Sequence, residues 1–458
     1  MKLVDTHCHL NFSDYDKDLP EVLTRAKTAG LVRIIVPGTD IKSSIKAVEL
    51  AKKNKMIFAA VGVHPHEADD AGVLDVEKLR DIAVGSDKVI AIGEIGLDKY
   101  KNYSKIENQQ KLFSECLRLA RTLDLPVIIH NRRAGKEMLD ILKKFKNTGI
   151  KGVFHCFSED ISFLNAILEL GMYVSFAGNI TFKNAFDSRK TAQAVPLEKL
   201  LLETDSPFIT PEPYRGKRNE PAYVKNLLDV YAKMYKLSVE DVARVTTHNA
   251  NKLFNLGIKE KGVIAYAIRD SLYLNITNRC TNRCGFCTRQ YSNFVKGHKL
   301  SLGSEPLAGE IIQKLKKVSK YKEIVFCGFG EATLRLNTVI KIAAYVKRQG
   351  GKVRLTTNGQ GNLIAGYSIA PKLKGIVDAV SVSLNEAEAD MYSRLCCPSF
   401  GKKAYSAIMD FIKECVEQSI KVEVTCLDMI GGEAVSACRK MAKDLGAEFR
   451  MRHLDVVG

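Results

Sequence analysis

Val4-Asp5-Thr6-His7-Cys8-His9 begins as a β-strand pattern and ends in two histidines two residues apart. Side chains two apart on an extended segment point the same way, so both imidazoles face one place. The rhythm that starts here continues for about 250 residues. Apolar runs at 31–36, 57–62, 89–92, 127–129, 152–154, 173–176 and 200–202 alternate with amphipathic stretches such as 108–123 and 134–146. Repeated βα units of this kind imply a parallel sheet, and about eight of them in that length predict a closed (β/α)8 TIM barrel.

A barrel of that type carries its chemistry at the carboxyl ends of its strands. His7, His9, Glu94, His130, His155 and Asp205 all fall at or just past such ends. One histidine at a strand end is more often a hydrogen-bonded core residue than a ligand. The chain has only 9 His, however, and four of them occupy these positions. Four imidazoles and two carboxylates can hold two divalent ions (zinc, magnesium or manganese), with Glu94 bridging. Two ions about 3.5–4 Å apart activate water and clamp a phosphodiester. His64 and His66, in Gly62-Val-His-Pro-His66, form a further pair near the rim, with His64 read as touching substrate or ordering a loop.

The matching pieces are Asp5-Thr-His-Cys-His-Leu10, Gly62-Val-His-Pro-His66, Gly93-Glu-Ile-Gly-Leu-Asp98, Leu125-Pro-Val-Ile-Ile-His-Asn-Arg132, Phe154-His-Cys-Phe-Ser158 and Leu202-Glu-Thr-Asp-Ser-Pro207. With these, residues 1–258 resemble the TatD family of metal-dependent deoxyribonucleases, in the wider amidohydrolase group. The resemblance covers all six ligand positions. It implies hydrolysis of DNA, with Glu94 and Asp205 as catalytic carboxylates and Asp205 as general base. Arg132 and Arg215, with Lys217 and Arg218, fall where phosphate contacts would be useful. The residues by themselves indicate a two-metal hydrolase.

A second centre follows the seam at 255–262. Cys280-Thr-Asn-Arg-Cys284-Gly-Phe-Cys287 places three thiols within eight residues after another strand pattern. Three is one short of the four that close a structural zinc or a plain electron-transfer cluster. A zinc loop with a distant fourth ligand is the plainer alternative. The spacing resembles that of radical S-adenosylmethionine enzymes, where three cysteines hold a 4Fe-4S cluster and the open iron binds the cofactor. Gly328-Phe-Gly-Glu331, one strand later, resembles the Gly-Gly-Glu segment that holds the cofactor's amino group, though Ala332 replaces the usual Pro. That likeness makes Gly328, Gly330 and Glu331 cofactor contacts. Ser383 and Asn385 would bond its ribose or carboxylate, and Arg394 its carboxylate. Six βα units over 264–458 predict a partial (β/α)6 barrel open on one side. Cys327, Cys415, Cys426 and Cys438 are scattered and read as core thiols, whereas Cys396-Cys397 reads as reactive or packed.

Hydrophobic residues make up 46% and charged residues 26% of the 458, an ordinary globular composition that excludes a disordered chain. No apolar run reaches a membrane span, no disulfide framework or signal peptide is visible, and the expected compartment is the cytoplasm. The net charge of +17 is concentrated in 251–350, which hold 18 basic and 6 acidic residues. Such an excess suits DNA or a nucleotide, or forms a solvated lysine surface. The fusion looks like the radical enzymes associated with TatD-type nucleases. It implies a bifunctional enzyme with a reductant such as flavodoxin or ferredoxin. The alternative is a hydrolase of another small substrate whose cluster domain senses redox state or iron. Oligomeric state is not legible.

Overall fold

The computed structural model describes residues 1–101, 103–315 and 317–453. The last five residues of the expected second domain, 454–458, lie outside the described residues. The chain divides into two compact units, Met1–Lys259 and Glu260–Gly458.

In the first unit β1 (Leu3–Asp5), β2 (Leu31–Pro37), β3 (Ile57–Val61), β4 (Val89–Asp98), β5 (Val127–Arg132), β6 (Gly152–Phe154), β7 (Tyr173–Phe176) and β8 (Leu200–Leu202) pair in sequence order. All seven pairings are parallel. The sheet closes through backbone bonds between its two ends. Thr6 N donates to Leu202 O (2.9 Å), Asp205 N to His7 O (2.9 Å) and His9 N to Ser206 O (2.8 Å). The alternation of strand side chains explains the barrel. Ile34, Val36, Ala59, Val61 and Ile129 pack outward on helices. Ile35, Ala60, Ile128, Val153 and Leu201 fill the inside.

Leu253, Phe254, Leu256 and Ile258 join that inner cluster from the end of the helix Val239–Phe254. Thr247 Oγ1 bonds Lys2 O (2.9 Å) and Arg33 Nε bonds Leu256 O (2.9 Å), so this segment covers the amino ends of the strands. The carboxyl ends are left to polar residues. There β4 departs from the sequence expectation: it runs on through Asp98 and carries Glu94 inside the strand. Its register with β5 slips between Ile92 and Ile95, a bulge that re-aims the side chain between them. Gly96 permits the close approach that follows. It sits at φ +147°, and a Cβ there would lie 1.9 Å from His130 O.

The second unit is a seven-stranded sheet ordered β17-β16-β15-β14-β13-β10-β9. Its strands are β9 (Ala265–Ile268), β10 (Ser271–Leu274), β13 (Glu323–Phe326), β14 (Val353–Thr357), β15 (Ala379–Ser383), β16 (Lys421–Leu427) and β17 (Glu448–Arg452). A separate ribbon pairs β11 (Phe294–Val295) with β12 (His298–Lys299). Strands β10 and β13 to β17 are the six expected parallel strands. Strand β9 is an addition, antiparallel to β10. Its two-residue turn is Arg269-Asp270, with φ 55° at Arg269, and without Gly or Asn it leaves no hairpin signal in the sequence. Helices pack on the face that carries Leu274, Phe326, Leu355, Val382 and Val424. Cys415, Cys426 and Cys438 lie in that core as expected. Cys327 does not: it follows β13 on the opposite face, where burial raises its thiol. Among the described residues, no helix is long and apolar enough to cross a membrane.

Candidate functional site

Glu94 is the centre of the first unit's carboxyl end. Its carboxylate is buried and meets His155 Nε2 at 2.9 Å, His130 Nδ1 at 3.0 Å, His7 Nε2 at 3.3 Å and His64 Nε2 at 3.4 Å. His9 Nε2 lies 3.7 Å away and also 3.6 Å from Asp205 Oδ1, which is 3.7 Å from His7 Nε2. His7 and His9 put their Nε2 atoms 3.1 Å apart, the same-side placement their spacing predicts. All six expected ligand positions are therefore brought together. His64 joins them, closer to Glu94 than a rim residue would be.

Burial and charge sort these groups. Burial opposes ionisation of Glu94, but His155, His64 and His7 outweigh it and hold its carboxyl well below the usual range. Burial likewise opposes charge on His155, yet Glu94 carries it up to about 9. Burial, with His155 beside it, pushes His7 down to about 4. His155 stacks on His7, with ring centroids 3.9 Å apart and planes 7° from parallel. Asp205 takes φ 54° in the left-handed region and is pinned by its backbone bond to His7 O.

A cation fits this arrangement. An ordinary core histidine is hydrogen-bonded outward, whereas here buried ring nitrogens converge on one another and on carboxylates. The Nδ1 atoms of His7, His9 and His155 are buried without a partner, so each can carry the ring proton and leave Nε2 free to ligate. Three sets have ligand atoms within 4.8 Å of one another: His7, His9 and Glu94; His7, His155 and Glu203; and His64, Glu94 and His130.

The sequence reading did not single out three buried acids. Asp5 accepts from Thr204 Oγ1 (2.6 Å), Thr204 N (3.0 Å) and His7 N (3.2 Å), which ties β1 to the loop carrying Asp205. Asp98 bonds His66 Nε2 (2.9 Å) and His130 Nε2 (3.3 Å), so His130 lies between two carboxylates. Glu203 accepts from Cys156 N (2.5 Å) and Ser175 Oγ (2.7 Å), and burial pushes it up to about 7. Asp98 and Glu203 stand inside motifs already quoted, at positions where strand alternation hid which way they face.

The expected phosphate contacts divide. Arg132 is exposed and stacks on Tyr100 at 4.0 Å, and Arg215 stacks on Phe182 at 4.3 Å. Arg218 is committed elsewhere: both its terminal nitrogens bond Asp18, at 2.8 and 2.7 Å.

In the second unit the loop of Cys280, Cys284 and Cys287 follows β10, and the three thiols are partly buried and unpaired by disulfides. It is held from several sides. Gln360 Nε2 bonds Asn282 Oδ1 (2.7 Å), Asn282 Nδ2 bonds Tyr392 Oη (3.0 Å), and Asn358 Nδ2 bonds Thr281 Oγ1 (2.7 Å). Burial pushes the Cys280 thiol up to about 11. Three reduced thiols on one braced loop are a donor set that suits an iron–sulfur cluster. A fourth thiol, Cys396, is buried next to this loop, where Arg283 N bonds Cys396 O (3.0 Å), and its nearness raises the Cys284 thiol.

Gly330 serves the loop as much as any ligand. A Cβ there would lie 2.4 Å from both Arg279 O and Thr277 O, so its bareness lets the segment before Cys280 lie against it. Gly328 abuts Asn275 in the same way. Glu331 is buried and accepts from Thr333, Thr357 Oγ1 and Asn358 N. Ser383 ends β15 and Asn385 follows two residues later at φ 61°. Arg394 is exposed on the helix Ala389–Cys396.

Comparisons with known proteins agree with both halves. The model of TatD related DNases matches residues 4–255, and that of the radical SAM superfamily matches 274–445. An uncharacterized metal-dependent hydrolase of Bacillus subtilis, YabD, is 39% identical over 254 residues, 56% of this chain and 99% of that protein. YcfH of Escherichia coli K12, also named an uncharacterized metal-dependent hydrolase, is 39% identical over 259 residues, covering 56% of this chain and 97% of its own. The crystal structure of the TatD homolog YjjV from E. coli K12 superposes with a TM-score of 0.53 at 32% identity, over 55% of this chain and 98% of that one. A TatD family hydrolase from Entamoeba histolytica shares the fold at 23% identity and TM-score 0.51, over 55% and 97% of the two chains. The chain belongs to the TatD-related family of metal-dependent hydrolases and carries, after that domain, a radical SAM enzyme domain.

Proposed function

We propose that this is a bifunctional enzyme. Its first unit hydrolyses phosphodiester bonds in DNA with two divalent ions, and its second cleaves S-adenosylmethionine reductively with a 4Fe-4S cluster for radical chemistry. The observation that supports the first half best is one buried carboxylate, Glu94, shared among His7, His64, His130 and His155. Ions bound there supply positive charge that makes water a nucleophile near neutral pH and offsets charge developing on phosphate. Glu94, with His7, His9, His130, His155 and Asp205, would hold the ions. His9 and His7 outweigh burial and keep Asp205 ionised, so its Oδ1 is fit to accept the proton of attacking water. Arg132 and Arg215 would bind the flanking phosphates. In the second unit Cys280, Cys284 and Cys287 would hold the cluster, which supplies one-electron cleavage of S-adenosylmethionine.

The test uses the full chain, stripped of metal and then supplied with Zn, Mg or Mn, on a labelled DNA oligonucleotide. Cleavage that needs the metal and disappears in Glu94→Gln is the expected result. No cleavage with any of the three ions refutes the DNase reading and leaves hydrolysis of another ester. The basic residues of 251–350 favour an anionic partner, and DNA affinity that ignores salt would remove that support. For the second half, dithionite-reduced protein with a reconstituted cluster should form 5′-deoxyadenosine, and Cys284→Ala should not. Absence of the product from cluster-loaded protein would leave the sensor reading.

A further inference from the structure

Two segments at the cysteine loop carry charge of one sign. Residues 279–291, which include Cys280, Cys284 and Cys287, and residues 394–403 hold Arg279, Arg283, Arg289, Arg394, Lys402 and Lys403, and no acidic residue. The segments are joined edge to edge. Arg283 N bonds Cys396 O (3.0 Å), Gly285 N bonds Leu395 O (3.2 Å) and Ser399 N bonds Thr281 O (2.8 Å). The fold thus gathers cations from two distant stretches beside one loop.

Part of this charge is answered within the unit. Arg279 meets Glu305 at 2.7 and 3.2 Å, and Arg289 donates to Asn278 O at 2.8 Å and to Asn282 O at 3.4 Å. Lys402 lies 3.7 Å from Asp390 with both side chains mostly exposed, a pair that contributes little. Arg283, Arg394 and Lys403 are exposed, and among the described residues none of the three pairs with a carboxylate. Aromatic rings stand among them. Tyr291 is 76% exposed, and its Oη donates to Gly285 O (2.5 Å), which ties it to the loop between Cys284 and Cys287. Phe400 is 36% exposed and follows Ser399 directly. Aromatic rings set among arginines are what the centres of protein–protein interfaces enrich.

The place of the patch selects its occupant. Reductive cleavage consumes one electron for each S-adenosylmethionine, and a donor must come close to the cysteines to deliver it. We infer that the patch formed by 279–291 and 394–403 docks an acidic one-electron carrier protein, which reduces the cluster held by Cys280, Cys284 and Cys287. The carrier is oxidised by one electron, and the cluster gains the electron that cleavage then uses. This rests on reading the second unit as a reductive S-adenosylmethionine enzyme and names the chemistry of its partner. It assigns part of the basic excess of 251–350 to a protein rather than to nucleic acid. Opposite charge on the two surfaces would steer their encounter and be screened by salt.

The experiment uses the full chain with its cluster reconstituted, and flavodoxin, ferredoxin and a DNA oligonucleotide as probes. Amide hydrogen exchange is read in the peptides covering 279–291 and 394–403, and binding is titrated at low and high salt. The expected result is protection of both peptides by at least one carrier, with an affinity that falls as salt rises. Arg283→Glu with Lys403→Glu should weaken that binding by about tenfold. The same variant should form 5′-deoxyadenosine normally with dithionite, a small reductant that needs no docking surface. Its iron content shows whether the cluster is kept. Lys402→Glu with Lys403→Glu, outside the cysteine loop, serves the same comparison if the first variant does not load. Binding of neither carrier, carrier binding that leaves both peptides unprotected, equal affinity in variant and wild type, or protection by DNA alone overturns the docking site. Absence of 5′-deoxyadenosine from wild-type protein with dithionite refutes the radical reading separately, because hydrogen exchange and the salt titration still report on docking.

Discussion

Glu203→Gln should change how the stability of the metal-free protein depends on pH. Glu203 is fully buried beside Cys156, Ser175 and His155, and desolvation raises it from 4.5 to about 7. A carboxyl raised on folding holds its proton more tightly in the native state than in the unfolded chain. Between these two values the native state binds more protons, so ionisation opposes folding. Its contribution is fully present below about pH 4.5 and is lost as pH rises toward 7. At 1.36 kcal/mol per unit, the raised value corresponds to about 3 kcal/mol. Glutamine keeps the shape and an acceptor for Cys156 N but does not ionise. The variant should therefore gain on wild type across this window, moving the urea midpoint by about 1 M at a slope of about 3 kcal/mol per M. The assay is urea unfolding of the full chain in EDTA at several pH values, followed by far-UV circular dichroism. Both proteins share the second unit, so the transition that shifts belongs to residues 1–259. His7 and His64, each pushed by burial down to about 4, tilt the curve oppositely in both proteins and cancel in the difference. A stability difference that stays flat from pH 4.5 to 7 would refute the reasoning.

Glu94→Gln should let His155 fall from about 9, because Glu94 is the main group that opposes burial there; NMR titration of metal-free protein reads this directly. Gly96→Ala should destabilise the first unit by about 3 kcal/mol or more, since it combines a clash at His130 O with an unfavourable φ; an unchanged melting curve would contradict it. In cluster-free protein a disulfide oxidant such as glutathione disulfide should link Cys284 to Cys396, releasing two glutathiones, and peptide mass spectrometry should find no such link in Cys396→Ser. Gln360→Ala removes the bond to Asn282 and should lower iron retained after reconstitution by several-fold, with normal retention counting against a bracing role.

Much of the first site was legible because its chemistry repeats at fixed places. Apolar runs marked the strands, and His7, His9, Glu94, His130, His155 and Asp205 stood at or near their ends. Spacing also placed the two imidazoles of the first motif on one side, and the Nε2 separation of 3.1 Å agrees. Local pattern likewise located the loop of Cys280, Cys284 and Cys287. What it could not supply was any relation between segments far apart in the chain. Asp98 reaches across from β4 to His66 and His130. Cys396 is 112 residues beyond Cys284 yet lies beside its loop, because the backbone around 395–399 runs alongside 281–285, with Arg283 N bonded to Cys396 O at 3.0 Å. Arg218 looked free until Asp18, 200 residues earlier, came within 2.8 Å.

The βα rhythm and the residues with donor atoms for metal or iron were already legible in the chain. These follow from side-chain periodicity and donor chemistry, which are properties of short stretches. Tertiary structure decided which of those residues converge, that His64 sits beside Glu94, and that Glu203 is buried enough to hold a proton near neutral pH. Each of these depends on closing a sheet or burying a charge, and the energy of a charge is set by what the folded chain brings around it.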